Sequence, residues 1–121
     1  MKDIRSDFRN RMNNIPYFID SKKPTHKLIW TILFNINDIY YSLIREVVLN
    51  DNQIEIIIEK YNILIDDLYK IEISNDLSFE LILYEDNIIK YLTKECLDNE
   101  EYETLANISK FTKQITTNLI K

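Results

Sequence analysis

The chain has 121 residues, of which 45% are hydrophobic and 29% charged, a composition typical of one globular domain rather than a disordered segment. It contains no glycine, one cysteine and one histidine. The absence of glycine excludes the glycine-rich loops that bind phosphates and dinucleotides, and it disfavours tight hairpins. One cysteine excludes an intramolecular disulfide and a thiolate zinc cluster. We therefore expect a protein that is not an enzyme and has no cofactor or metal ion.

Isoleucine, asparagine, lysine and tyrosine, whose codons are AT-rich, are abundant, whereas alanine occurs once. This bias is typical of many phages, large DNA viruses and low-GC bacteria. Residues 1–5 lead into no apolar run, and charged residues interrupt the most apolar stretch, 28–49, so we expect no secretory signal and no membrane span. We predict a cytoplasmic protein, located in the host cytoplasm if the gene is viral. Cys96 is expected in the core and His26 on the surface.

The amino-terminal region carries a narrow apolar stripe. Ile4, Phe8 and Met12 recur at a four-residue spacing, which predicts a short amphipathic helix over residues 2–14. A looser segment, residues 15–23, follows it and contains no helical repeat.

Four longer helices are predicted from apolar residues that recur every three or four positions. The first should extend over residues 25–49, with Thr25 as its N-cap. Its core stripe consists of Ile29, Leu33, Ile36, Tyr40, Leu43 and Val47.

Pairs that resemble capping boxes mark the starts of two further helices: Asn52 with Glu55, and Asp98 with Glu101. A polar break at residues 74–76 precedes the helix between them. Because the connections between the four long helices are only two to four residues long, neighbouring helices should be antiparallel. The predicted fold is all-α: an antiparallel four-helix bundle of long helices with a short N-terminal helix laid across it.

One segment, residues 69–84, also fits a second interpretation. Its apolar residues can be arranged as two alternating strands around Asn75 and Asp76, which would give an α+β fold with a hairpin. We prefer the helix because the turn has no glycine and the helical repeat continues to Leu92.

Charge divides the chain into a basic arm and an acidic body. Residues 1–30 have a net charge of +4, whereas the other residues sum to −9, with −11 in residues 51–103 alone. We therefore interpret residues 1–121 as a single helical domain made of a basic N-terminal arm, 1–24, and an acidic bundle, 25–121.

Two of the predicted helices have more apolar residues than one core stripe requires. Trp30, Phe34 and Tyr41 lie beside the core stripe of the helix at 25–49, and Phe79 adds to a helix that is already apolar on its other side. Either the N-terminal helix and residues 15–19 cover this surface, or it binds a partner.

Our first hypothesis is a stoichiometric inhibitor, immunity or adaptor protein of phage, viral or mobile-element type. It would block another protein sterically, such as one with a basic surface that normally binds nucleic acid. The candidate partner-binding residues are Asp66, Asp67, Glu72, Asp76, Trp30, Phe34, Tyr41 and Phe79.

Two alternatives remain open. The first is a self-assembling structural homodimer that buries the surplus apolar residues. The second is a nucleic-acid-binding regulator, which is disfavoured because the acidic body would repel phosphates. The basic residues that the second alternative would use are Arg5, Arg9, Arg11, Lys22 and Lys23.

Overall fold

The structure is a computed structural model that describes residues 3–12, 24–70 and 75–120. It contains five α-helices, which we number α1 (Ile4–Met12), α2 (Pro24–Arg45), α3 (Asp51–Lys70), α4 (Asn75–Asp98) and α5 (Tyr102–Ile120). These described ranges contain no strand, so the predicted all-α class is confirmed.

The alternative hairpin over residues 69–84 is wrong where the structure describes it. Residues 75–84 belong to α4, and Leu81, Tyr84 and Ile88 turn one face of that helix toward the core at helical spacing. Residues 71–74, where the first strand would end, lie outside the described residues.

Helix α2 begins and ends earlier than the sequence suggested. It starts at Pro24 rather than after Thr25, because proline has no backbone N–H to lose and its fixed φ suits the first helical turn. It ends at Arg45, and the chain bends over the next three residues. As a result Val47, which was predicted in the core stripe, is exposed.

The side chain of Asn107, from α5, satisfies backbone groups at the end of α2. Its Nδ2 donates to the carbonyl oxygens of Leu43, at 3.4 Å, and Val47, at 3.1 Å. Its Oδ1 accepts from the backbone N–H of Leu49, at 3.3 Å. The buried side-chain amide of Asn107 therefore provides hydrogen-bond partners for these backbone groups, so α2 can end here without leaving them unpaired.

The capping box of α3 lies two residues before the predicted one. The Oδ1 of Asn50 accepts from the backbone N–H of Gln53, and the Oε1 of Gln53 accepts from the backbone N–H of Asn50, both at 2.9 Å. Leu49 and Ile54, which flank this box, are both buried in the same core. They occupy the positions of a hydrophobic staple, which favours Asn50 over Asn52 as the N-cap.

The capping box predicted at Asp98 and Glu101 is wrong, since Asp98 is still the last residue of α4. Beyond it, the backbone N–H of Glu101 donates to the carbonyl oxygen of Cys96 at 2.8 Å, and that of Glu100 donates to Leu97 at 3.3 Å. Glu100 has a φ of 56°. This pair of hydrogen bonds around a left-handed residue is a Schellman motif, and it turns the chain from α4 into α5.

Helix α2 occupies the middle of the molecule, since α1, α3, α4 and α5 all pack against it. Every helix contributes buried side chains to one core. Ile4 and Phe8 are buried as predicted, and so is Cys96. Tyr40 and Tyr61 each meet the ring of Phe111 edge-on, at centroid distances of 5.6 and 5.4 Å.

Candidate functional site

The position of α1 decides which parts of the surface remain open. Arg5 donates from Nη1 and Nη2 to the two carboxylate oxygens of Glu101, at 3.2 and 3.1 Å, and from Nη2 to the hydroxyl of Thr104, at 3.1 Å. The hydrogen bonds from Arg5 hold the pKa of the Glu101 carboxyl below its usual value. This bidentate ion pair between Arg5 and Glu101 fixes the start of α1 beside the start of α5.

Two further arginines of α1 lie over tyrosine rings. The guanidinium carbon of Arg11 is 4.0 Å from the ring centroid of Tyr91, on α4, and that of Arg9 is 6.0 Å from the ring centroid of Tyr41, on α2. Helix α1 therefore lies across α2 and α4.

The predicted nucleic-acid-binding residues thus divide into two groups. Arg5, Arg9 and Arg11 all contact other parts of the protein. Lys22 and Lys23 lie outside the described residues.

Trp30, Phe34, Asn37 and Tyr41 are spaced by four, three and four residues, so they form one line along α2. Arg9 covers Tyr41, while Asn37 is buried and donates to the hydroxyl of Tyr84. The line continues beyond these covered positions to Phe34 and Trp30.

Trp30 and Phe34 form the other end of this line, and we call them the aromatic pair. Residues 15–19, which the sequence suggested as a cover for this surface, lie outside the described residues. Their rings are stacked, with centroids 5.3 Å apart and planes 12° apart. Trp30 is 45% exposed, whereas Phe34 is half-buried against the core. The structure thus brings together two of the predicted partner-binding residues as a supported aromatic surface.

The other predicted partner-binding residues are dispersed. Asp66 and Asp67 are exposed near the end of α3, and Phe79 is exposed on α4. Glu72 and the side chain of Asp76 lie outside the described part of the protein.

A partly buried polar cluster joins α2, α3 and α4, and the apolar spacing of the sequence did not indicate it. The hydroxyl of Tyr40 donates to Oε1 of Glu85 at 2.9 Å, and the hydroxyl of Tyr61 lies 2.9 and 3.0 Å from the two carboxylate oxygens. Burial raises the pKa of Glu85 more than these hydrogen bonds lower it. Burial and the nearby Glu85 charge raise the pKa of Tyr40.

Tyr40 and Tyr61 are both buried, whereas Glu85 is half-buried at the edge of the core. The cluster ties three helices together at one carboxylate. A sequence signal for it does exist: a tyrosine in a core stripe needs a partner for its hydroxyl, and Glu85 lies between the buried positions Leu81 and Ile88.

In the described ranges, no three histidine, cysteine, aspartate or glutamate side chains lie close enough together to hold a metal ion. None of the helices in those ranges combines the length and apolar character needed to cross a bilayer. Comparisons of the chain with protein-family models, curated proteins and solved structures found no match.

Proposed function

We propose that the protein is a non-enzymatic binding protein that blocks a partner protein sterically, as a stoichiometric inhibitor, immunity protein or adaptor does. The observation that supports this proposal best is the aromatic pair. Trp30 is stacked on Phe34 and is 45% exposed. A large aromatic side chain that is already oriented loses little entropy on binding, and such residues often dominate interface energies.

The partner we propose has a basic surface, such as a groove that normally binds nucleic acid. Helices α2 and α3 pack together and are joined by only residues 46–50, so we infer that they are antiparallel. The end of α3, with Asp66 and Asp67, is then at the same end of the molecule as Trp30. Acidic residues at the same end of the molecule as an aromatic anchor would attract and orient a basic partner during approach.

The same reasoning applies to the whole fold. Helices α4 and α5 also pack together across a short connection, residues 99–101, and α2 packs against both of them. We propose that α2–α5 form an antiparallel four-helix bundle with α1 lying across it.

Affinity purification from the native host, with quantitative mass spectrometry, tests the binding surface. We expect a stoichiometric partner to co-purify with the wild type and to be lost with Trp30→Ser, which removes the exposed ring but leaves the core intact. Ile63→Ser is the matched control, since Ile63 is an exposed apolar residue on α3. A partner that both variants retain equally would contradict this assignment of the surface.

Charge reversal tests the proposed basic partner. With the identified partner, the double variant Asp66→Lys/Asp67→Lys should slow association at low salt by roughly tenfold and have little effect at high salt, because salt screens long-range attraction. Stopped-flow mixing at two salt concentrations measures both rates. An unchanged association rate at low salt would count against a basic partner.

A further inference from the structure

The outward face of α4 carries regularly spaced residues that do not contribute to the core of the described chain. One line along this face follows spacings of four, three, four, three and four residues, and consists of Phe79, Leu83, Asp86, Lys90, Thr93 and Leu97. We call these six residues the α4 outer line. At about 100° per residue, the line lies opposite Leu81, Ile88 and Leu92, which face the core.

Three members of the α4 outer line are large apolar side chains left open to solvent. Phe79 is 61% exposed, Leu83 45% and Leu97 50%. Alternating spacings of three and four residues are what a helix presents to a second helix in a coiled coil. The spacing therefore fits a helical partner better than a flat surface.

The α4 outer line is also symmetric about residue 88. Phe79 and Leu97 are each nine residues from that position, Leu83 and Thr93 five, and Asp86 and Lys90 two. Two antiparallel copies of α4, related by a two-fold axis at residue 88, would therefore place Phe79 opposite Leu97, Leu83 opposite Thr93, and Asp86 opposite Lys90.

We propose that the α4 outer line is the interface of an antiparallel homodimer, so that its partner is a second copy of this chain. Apolar side chains would meet at both ends of the contact. Asp86 and Lys90 already form an ion pair within one helix, at 2.9 Å. The dimer adds two such pairs between copies, which gives four alternating charges at the centre.

Charge selects this orientation over the parallel one. A parallel pairing in register would set Asp86 against Asp86 and Lys90 against Lys90 of the second copy, and like charges opposed across an interface are repulsive. The antiparallel pairing replaces both repulsions with attractions.

The shape of the surface agrees with the pairing of Phe79 and Leu97. A shallow, mainly apolar hollow of about 340 Å³ lies on this side of α4. It is lined by Ile89, Lys90, Thr93, Lys94, Leu97 and Asp98. In the antiparallel dimer, the ring of Phe79 from the second copy lies opposite Leu97, where it can enter this hollow.

This dimer is independent of the proposed inhibitory function, because the aromatic pair is on α2 and the interface is on α4. Sedimentation equilibrium at roughly 100 µM should give twice the 14.6 kDa monomer mass for the wild type. Asp86→Lys or Lys90→Asp alone should weaken dimerisation at least tenfold, since each sets like charges opposite each other.

The combined Asp86→Lys/Lys90→Asp variant should restore the dimer, because it rebuilds the complementary pairs in reverse. Ile63→Lys, on an exposed part of α3, is the control that should remain dimeric. A monomeric wild type, or single variants that dimerise as well as the wild type, would overturn the proposal.

Cysteine crosslinking tests the register. Under mild oxidation, a mixture of Leu83→Cys and Thr93→Cys should give a covalent dimer, whereas either variant alone should not. Two copies of residue 83 would be about 15 Å apart along the axis, too far for a disulfide. Self-crosslinking of Leu83→Cys alone, or no crosslinking of the mixture, would contradict this register.

The wild type is the control for the native thiol in this experiment. Cys96 is fully buried, and burial raises its pKa to about 11. It should therefore remain protonated and unreactive.

Discussion

At the level of single residues, the carboxyl of Glu85 makes stability depend on pH. Burial raises its pKa in the folded protein above the ordinary value of 4.5. A carboxyl with a raised folded pKa stabilises the fold fully below its unfolded pKa and loses that contribution as the pH rises through the folded pKa. Glu85 therefore favours folding more at acidic than at neutral pH.

The variant Glu85→Gln removes this titration and keeps an oxygen that can accept from a tyrosine hydroxyl. We expect the free energy of unfolding of the wild type, measured relative to Glu85→Gln, to fall as the pH rises above 4.5. The change should be about 1.4 kcal/mol for each unit by which the folded and unfolded pKa values differ. Urea unfolding of both proteins at a series of pH values measures it.

Glu101→Gln provides a control of opposite sign. The hydrogen bonds from Arg5 lower the folded pKa of Glu101, so its contribution is present above the unfolded pKa and is lost as the pH falls through the folded pKa. Unfolding free energies for wild type and Glu85→Gln that run parallel at all pH values would show that Glu85 does not titrate differently in the two states.

At the level of the helices, the sequence predicts their existence well and their ends less well. Apolar residues at spacings of three and four identify all five helices, because burial of one face dominates their stability. The ends depend on groups that spacing does not identify. Asn107 reaches the end of α2 from another helix, and Asn50 and Asn52 are equally good caps until the burial of Leu49 and Ile54 decides between them.

The end of α4 leads to a stability prediction. Glu100 adopts a φ of 56°, a region in which a side chain with a Cβ is strained and glycine is not. We expect Glu100→Gly to raise the free energy of unfolding by roughly 0.5–1 kcal/mol, since the strain relieved exceeds the entropy that glycine loses on folding.

The same substitution one turn later is the matched control. Glu103 lies in the first turn of α5, where glycine should lower the free energy of unfolding by roughly 0.5–1 kcal/mol. Thermal unfolding of both variants compares the two effects. If Glu100→Gly is the less stable variant, the left-handed residue is not strained.

At the level of the whole molecule, the sequence indicated which apolar residues are additional to a single core stripe. It did not indicate which of them other parts of the protein cover. Tyr41 and Trp30 are on the same line of α2, and among the described residues the position of α1, with Arg9 over Tyr41, distinguishes the covered tyrosine from the exposed tryptophan. That position depends on Arg5, Arg9 and Arg11, which charge alone suggested as ligands for phosphates. Long-range pairing of this kind cannot be inferred from periodicity.

The central position of α2 predicts how the molecule opens. In the described residues α2 packs against every other helix, whereas α3 packs against α2 and α5 and contacts α4 through the hydrogen bonds between Tyr61 and Glu85. Amides in residues 36–44 should therefore exchange with deuterium only when the whole protein unfolds, and those in the middle of α3 should also exchange through smaller openings. Native-state exchange at increasing urea concentrations distinguishes the two, since the urea dependence reflects the surface exposed. A smaller urea dependence in α2 than in α3 would mean that α2 can detach while its neighbours stay folded, which its burial among α1, α3, α4 and α5 opposes.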